Sequence, residues 1–147
     1  MNNKVKKEQR TFNKRLQEVR KEGFVRLFEY IEEVGKIIGR NKALKILEKI
    51  VTKKRLNWLD KNKCRLRLKG NLLDLAYKIF YKEYLGLSSS DGRIVEKTEN
   101  KLVTRWRNFC PVLEACKVLK LETKEICKKV YDKPTQKFLE KIHPRLR

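Results

Sequence analysis

The apolar residues of this chain change their period along its length, and those changes divide it into elements. Over residues 3–22 the apolar positions are chiefly Val5, Phe12, Leu16 and Val19 in a charged background, with Phe12, Leu16 and Val19 spaced by four and three. That narrow stripe predicts a long charged helix, ended by Gly23. From Phe24 to Ile38 the residues Val25, Phe28, Ile31, Val34 and Ile38 recur at three or four, which predicts a core helix stopping at Gly39. Asn41 is placed to cap the next helix, whose apolar series runs Leu44, Leu47, Ile50, Val51, Leu56 and Leu59. The alternation Arg65-Leu66-Arg67-Leu68-Lys69 reads equally as a short edge strand or the lip of a helix. Gly70-Asn71 restarts the chain into an amphipathic helix from Leu72 to Leu85, in which Tyr77, Phe80, Tyr81 and Tyr84 occupy core-like spacings.

After a loop of Gly86 and Ser88–Gly92, the period becomes two. Ile94–Thr98 and Leu102–Arg107, joined across Glu99-Asn100-Lys101, predict a β-hairpin at about residues 93–108. Three short helices are expected to follow: about Pro111 to Leu119, Thr123 to Tyr131, and Lys133 to Ile142, with Pro134 in the first turn of the last. The expected fold is α+β and predominantly α-helical, with six to seven helices and one small antiparallel hairpin. At 147 residues it is expected to be a single domain, made of a basic N-terminal helix (1–22), a helical part (24–85) and a hairpin with short C-terminal helices (93–147).

Charge changes the picture more than composition does. A hydrophobic content of 40 % supports folding, while 39 Lys and Arg oppose 18 Asp and Glu for a formal +21. Between Arg40 and Lys69 there are twelve basic residues and two acidic ones, Glu48 and Asp60. Surface lysines are normally interspersed with glutamates, so an unbalanced run of this length is an electrostatic footprint for a polyanion. The expected nucleic-acid contacts are Lys53, Lys54, Arg55, Lys61, Lys63, Arg65, Arg67 and Lys69, with Trp58 available to stack on a base. There is no zinc finger, RNA-recognition signature or Gly-rich phosphate loop, so the recognition expected is of backbone, of RNA before DNA, in isolation or in a ribonucleoprotein particle.

No window approaches the length of a membrane span and no apolar run follows the basic N-terminus, so a cytoplasmic protein without membrane partners is expected. Cys64, Cys110, Cys116 and Cys127 form no C-x-x-C pair and fit no common zinc spacing; neither a metal nor a cofactor is expected. Cys116 and Cys127 lie among aliphatic residues at helical spacing, as core residues do. Cys110 differs, since Pro111 at the first helical position puts its thiol at the positive end of a helix with Arg105 and Arg107 near in sequence, a placement that favours a thiolate.

The strand ending Leu102-Val103-Thr104-Arg105, the Cys110-Pro111 corner, the helix to Leu121, Cys127, and the Tyr131-Asp132 pair resemble the L-2-amino-thiazoline-4-carboxylic acid hydrolase-like family over roughly the final 45 residues. The turn at Pro144-Arg145-Leu146 resembles one in the same proteins. The resemblance implies a helical layer on a small antiparallel sheet. It also implies an alternative function, a hydrolase-like or small-ligand-binding protein, with Cys110 as thiolate, Cys127 as its partner, and Arg105 or Arg107 holding a substrate carboxylate.

Overall fold

The computed structural model of the chain describes residues 3–66 and 70–146, with residues 3–7 described by their backbone alone. Among the described residues there are five continuous helices and one two-stranded antiparallel sheet, an α+β and mostly helical fold. The helices are α1 (Asn3–Ile38), α2 (Arg40–Asn62), α3 (72–84), α4 (Pro111–Leu119) and α5 (123–142); β1 (Gly92–Lys97) and β2 (Leu102–Trp106) form the hairpin.

Five helices replace the six or seven expected because two predicted breaks are not breaks. Gly23 lies inside α1, where a glycine costs about 1 kcal/mol relative to alanine, less than interrupting a continuous ladder of hydrogen bonds. The break expected between Tyr131 and Lys133 is absent too: Asp132 has helical φ and ψ and carries the chain from a π-helical stretch (Cys127–Asp132) straight into Lys133–Ile142. Asn41 is likewise inside α2, which begins at Arg40. Gly39 does end α1, at φ +92°, with its N–H donating to Gly35 O (2.9 Å). The chain restarts at Asn71 as expected, and Asn71 is the N-cap of α3, its Oδ1 accepting from the N–H groups of Leu73 (2.9 Å) and Asp74 (3.4 Å).

The packing gathers into two compact units, and α2 and α5 each run through both. The first holds the chain to Lys45 with Phe109–Cys127. Here α4 packs on α1, and Phe28, Ile31, Val112, Ala115, Cys116 and Ile126 are buried. Arg40 ties its elements together, its Nε donating to Glu32 Oε1 (3.0 Å) and its Nη1 to Glu125 Oε2 (2.8 Å). The residues of α1 from Glu8 to Arg20 are exposed throughout.

The second unit holds Ile46–Asn108 and the chain from Lys128 onward. Its core joins Leu59, Leu66, Leu75, Ile79, Phe80 and Phe138, flanked by Trp58, Tyr81 and Tyr84. From Lys78 to Tyr84 α3 is wound as a π-helix, in which Leu85 N–H bonds to Phe80 O, five residues back. This puts the aromatics in two rows. Phe80 and Tyr84 face Phe138 (ring centroids 5.5 and 5.1 Å), while Tyr77 and Tyr81 stack on Trp106 of the hairpin (5.8 and 4.9 Å).

The hairpin spans the predicted residues, in the register Gly92↔Trp106, Arg93↔Arg105 and Ile94↔Thr104, followed by a bulge at Val95. Gly92 is required there for space, because an added Cβ would fall 2.2 Å from the Trp106 ring. Gly92→Ala is therefore expected to expel that ring from Tyr77 and Tyr81 and to destabilise the second unit by about 1–3 kcal/mol. The Trp106 indole signal in a two-dimensional NMR spectrum, together with a denaturant titration, checks this; an unshifted signal and unchanged midpoint would contradict it.

Candidate nucleic-acid interface

Five of the expected contacts, Lys53, Lys54, Lys61, Lys63 and Arg65, are exposed on α2 and the turn that follows it. Lys53, Lys54, Lys61 and Lys63 form no ion pair among the described residues. Arg65 is engaged, its guanidinium donating to Glu83 Oε2 (2.9 Å) and Asn62 Oδ1 (3.2 Å). Arg67 and Lys69, and with them the choice between edge strand and helix lip, lie outside the described residues.

Arg55 corrects the expectation of an exposed phosphate contact, since its side chain is buried. It falls on the same side of α2 as Leu59 and Thr52, three or four residues away, and that side faces the core. Its guanidinium lies 5.5 to 5.8 Å from the ring centroids of Phe80, Tyr84 and Tyr131. Nη1 donates to Thr135 Oγ1 and to Tyr131 O (3.4 Å), while Nε is buried without a partner. Burial pushes its pKa down from the usual guanidinium range, against the opposing influence of Tyr84 and Tyr131. A cation spread over three ring faces is held by cation–π attraction and packing, and not by a carboxylate.

Trp58 is also part of the packing. It is half-buried, with its ring edge-on to Tyr84 (5.1 Å) and tilted against Phe138 (6.1 Å).

The contacts of Arg55 with Tyr131 and Thr135, of Trp58 with Phe138, and of Asp60 with Lys141 (3.2 Å) run in the same order along both helices. In this unit α2 and the last stretch of α5 are therefore parallel neighbours. The Asp60–Lys141 pair fixes which rows adjoin. Lys49 and Lys53 share the row of Asp60, eleven and seven residues before it, and Lys133 and Lys137 share the row of Lys141 at spacings of four. All four are exposed and form no ion pair among the described residues. The spacing Lys133, Lys137, Lys141 is legible as a helical row, although it lies outside the dense basic run of Arg40 to Lys69.

The alternative site is not assembled within either unit. Cys110 does open α4 with Pro111 behind it, and its side chain makes no capping bond. Cys110 and Cys127 belong to the first unit, whereas Arg105 and Arg107 are exposed on the hairpin of the second. Cys116 is buried, and that burial pushes its thiol pKa up against a hydrogen bond with Thr123. The chain's single histidine, His143, accepts the Arg145 N–H at Nδ1 (3.2 Å). A small concavity of about 30 Å³ lies between Leu59, Asp60, Lys63, Leu66, Lys141 and Ile142; it includes neither these cysteines nor these arginines.

No helix is long and apolar enough to cross a membrane, among the described residues. No protein-family model, no curated protein and no solved structure matches the chain.

If Arg55 is a packing residue, Arg55→Ala should destabilise the protein by about 2–4 kcal/mol through lost packing and a cavity, whereas Arg55→Met should recover most of that loss. Neither folded variant should change the salt dependence of nucleic-acid binding. Denaturant midpoints and binding isotherms at two salt concentrations decide it; a shallower salt dependence in folded Arg55→Met would return Arg55 to the interface.

Proposed function

We propose that this chain binds the phosphodiester backbone of nucleic acid through the lysine rows of the α2–α5 pair. The observation that carries the proposal is the set Lys49, Lys53, Lys133 and Lys137, exposed and without ion pairs among the described residues, on two helices that run side by side in this unit. Elsewhere several cations are paired, as in Arg40 with Glu32 and Glu125, Lys97 with Asp74 and Lys117 with Glu114. Unpaired cations held in register repel each other, and a polyanion relieves that repulsion while releasing its own counterions.

The chain has no base-reading motif, so backbone charge sets the affinity. RNA is placed before DNA because RNA helices are recognised mostly by shape and backbone. Ile46 and Ile50 are also exposed on this side of α2, with 46 % and 52 % of their surface accessible. Apolar area between lysines also suits a ribonucleoprotein particle, where RNA and protein share one surface.

Binding should weaken steeply with salt, with a log–log slope of about −0.7 to −0.9 per phosphate contact. Replacing Lys53 and Lys137 together by Ala should make that slope shallower by about one to two units and weaken all sequences alike. Fluorescence anisotropy of labelled RNA and DNA across a salt series measures both. No affinity for either at low salt, where screening is least, would overturn the proposal.

A further inference from the structure

The hairpin carries a second set of cations, different in kind and in setting from the lysine rows. Its lysines are engaged: Lys97 Nζ with Asp74 Oδ1 (2.7 Å) and Lys101 Nζ with Glu96 Oε2 (2.8 Å). Its arginines are not. Arg93, Arg105 and Arg107 are exposed, and none of their guanidinium groups has an ion pair or hydrogen bond among the described residues. Arg93 and Arg105 are directly opposed across the ladder, an arrangement of like charges that works against strand pairing. Arg107 continues the row, its backbone N–H donating to Asp91 O (2.6 Å) one step beyond β2.

The face these arginines occupy follows from Trp106. Its ring turns inward onto Tyr77 and Tyr81, and its Nε1–H donates to Thr104 Oγ1 (3.1 Å), so strand alternation puts Arg105 and Arg107 on the outer face. Arg93 shares that face as the partner of Arg105. Lys97 reaches Asp74 from the inner face, and the bulge at Val95 is what lets one strand serve both. Of the carboxylates near this row, Glu96 is held by Lys101, and Asp91 pairs with no cation among the described residues.

We propose that the outer face of the hairpin is a second phosphodiester-binding surface, in which Arg93, Arg105 and Arg107 take backbone phosphates by bidentate hydrogen bonds. The inference rests on the nucleic-acid reading of the lysine rows and adds a separate contact to it. A guanidinium fork matches the geometry of a phosphate, whereas a lysine acts as a point charge. On a DNA ligand, the major groove of the B-form duplex also admits a two-stranded ribbon. The two surfaces are carried by different elements, since the hairpin packs on the Tyr77 and Tyr81 row of α3 and the α2–α5 pair on the Phe80 and Tyr84 row.

The test is fluorescence anisotropy of a labelled oligonucleotide across a salt series, using the full chain. Arg93→Ala with Arg105→Ala should make the slope shallower by about one to two units, equally in the unaltered protein and in the Lys53→Ala, Lys137→Ala background. Arg93→Lys with Arg105→Lys should keep the slope but weaken binding several-fold, because charge survives and the fork does not. An unshifted Trp106 indole signal establishes that the hairpin is intact; should the alanine pair disturb it, the lysine pair still decides. An unchanged slope and affinity in the hairpin variants, with a shallower slope in the lysine variant, would overturn this inference alone. No binding by the unaltered protein at low salt would overturn both readings. Loss of binding to vesicles of anionic lipid, with oligonucleotide binding intact, would overturn it in favour of a lipid headgroup.

Discussion

The second unit depends on the winding of α3. Had residues 78–84 continued as an ordinary α-helix, Tyr77, Phe80, Tyr81 and Tyr84 would crowd a narrower arc. The i→i+5 bonding of this stretch widens each turn and splits the aromatics into two rows. One row closes the core with Phe138 and Trp58, and the other receives Trp106. Arg55 completes the arrangement from α2 by laying its guanidinium against Phe80 and Tyr84. The position of both basic surfaces follows from these ring contacts.

Charge then decides what is left outside. With 18 acidic residues against 39 basic ones, most cations must go without a partner, and the structure distributes the few pairs unevenly. Arg40 takes two carboxylates to join α1 to the start of α5, and Asp60 takes Lys141 to align α2 with α5. The hairpin lysines are tied down at Asp74 and Glu96. Among the described residues, cations without ion pairs line the α2–α5 rows and the outer face of β1 and β2, and also α1, where Arg10, Lys14, Arg15 and Arg20 are exposed. Exposed ion pairs add little to stability, so the unpaired cations matter less to folding than to what they attract.

The fold was legible where the apolar period was strong or a terminus carried its own signal. The period of two gave the hairpin, and Pro111, Asn71 and Gly39 marked boundaries that the structure keeps. Helix continuity through Gly23 and Asp132 was not legible, because it depends on packing and on a π-helical stretch that no residue type announces. Of the expected contacts, Lys53, Lys54, Lys61 and Lys63 are exposed, whereas Arg55 is buried because charge density says nothing about which side of a helix an arginine occupies. The lysine row of α5 joins α2 through a pairing some eighty residues apart in the chain, which a reading of local density cannot reach.

The most direct test of the lysine rows as the interface is lysine footprinting. The folded protein is acetylated briefly at low salt, with and without a saturating oligonucleotide, and each site is quantified by mass spectrometry. Protection is predicted at Lys49, Lys53, Lys133 and Lys137, with Lys14, Lys36 and Lys42 of the first unit acetylated at unchanged rates. Uniform protection of all lysines, or protection confined to the first unit, would contradict the account.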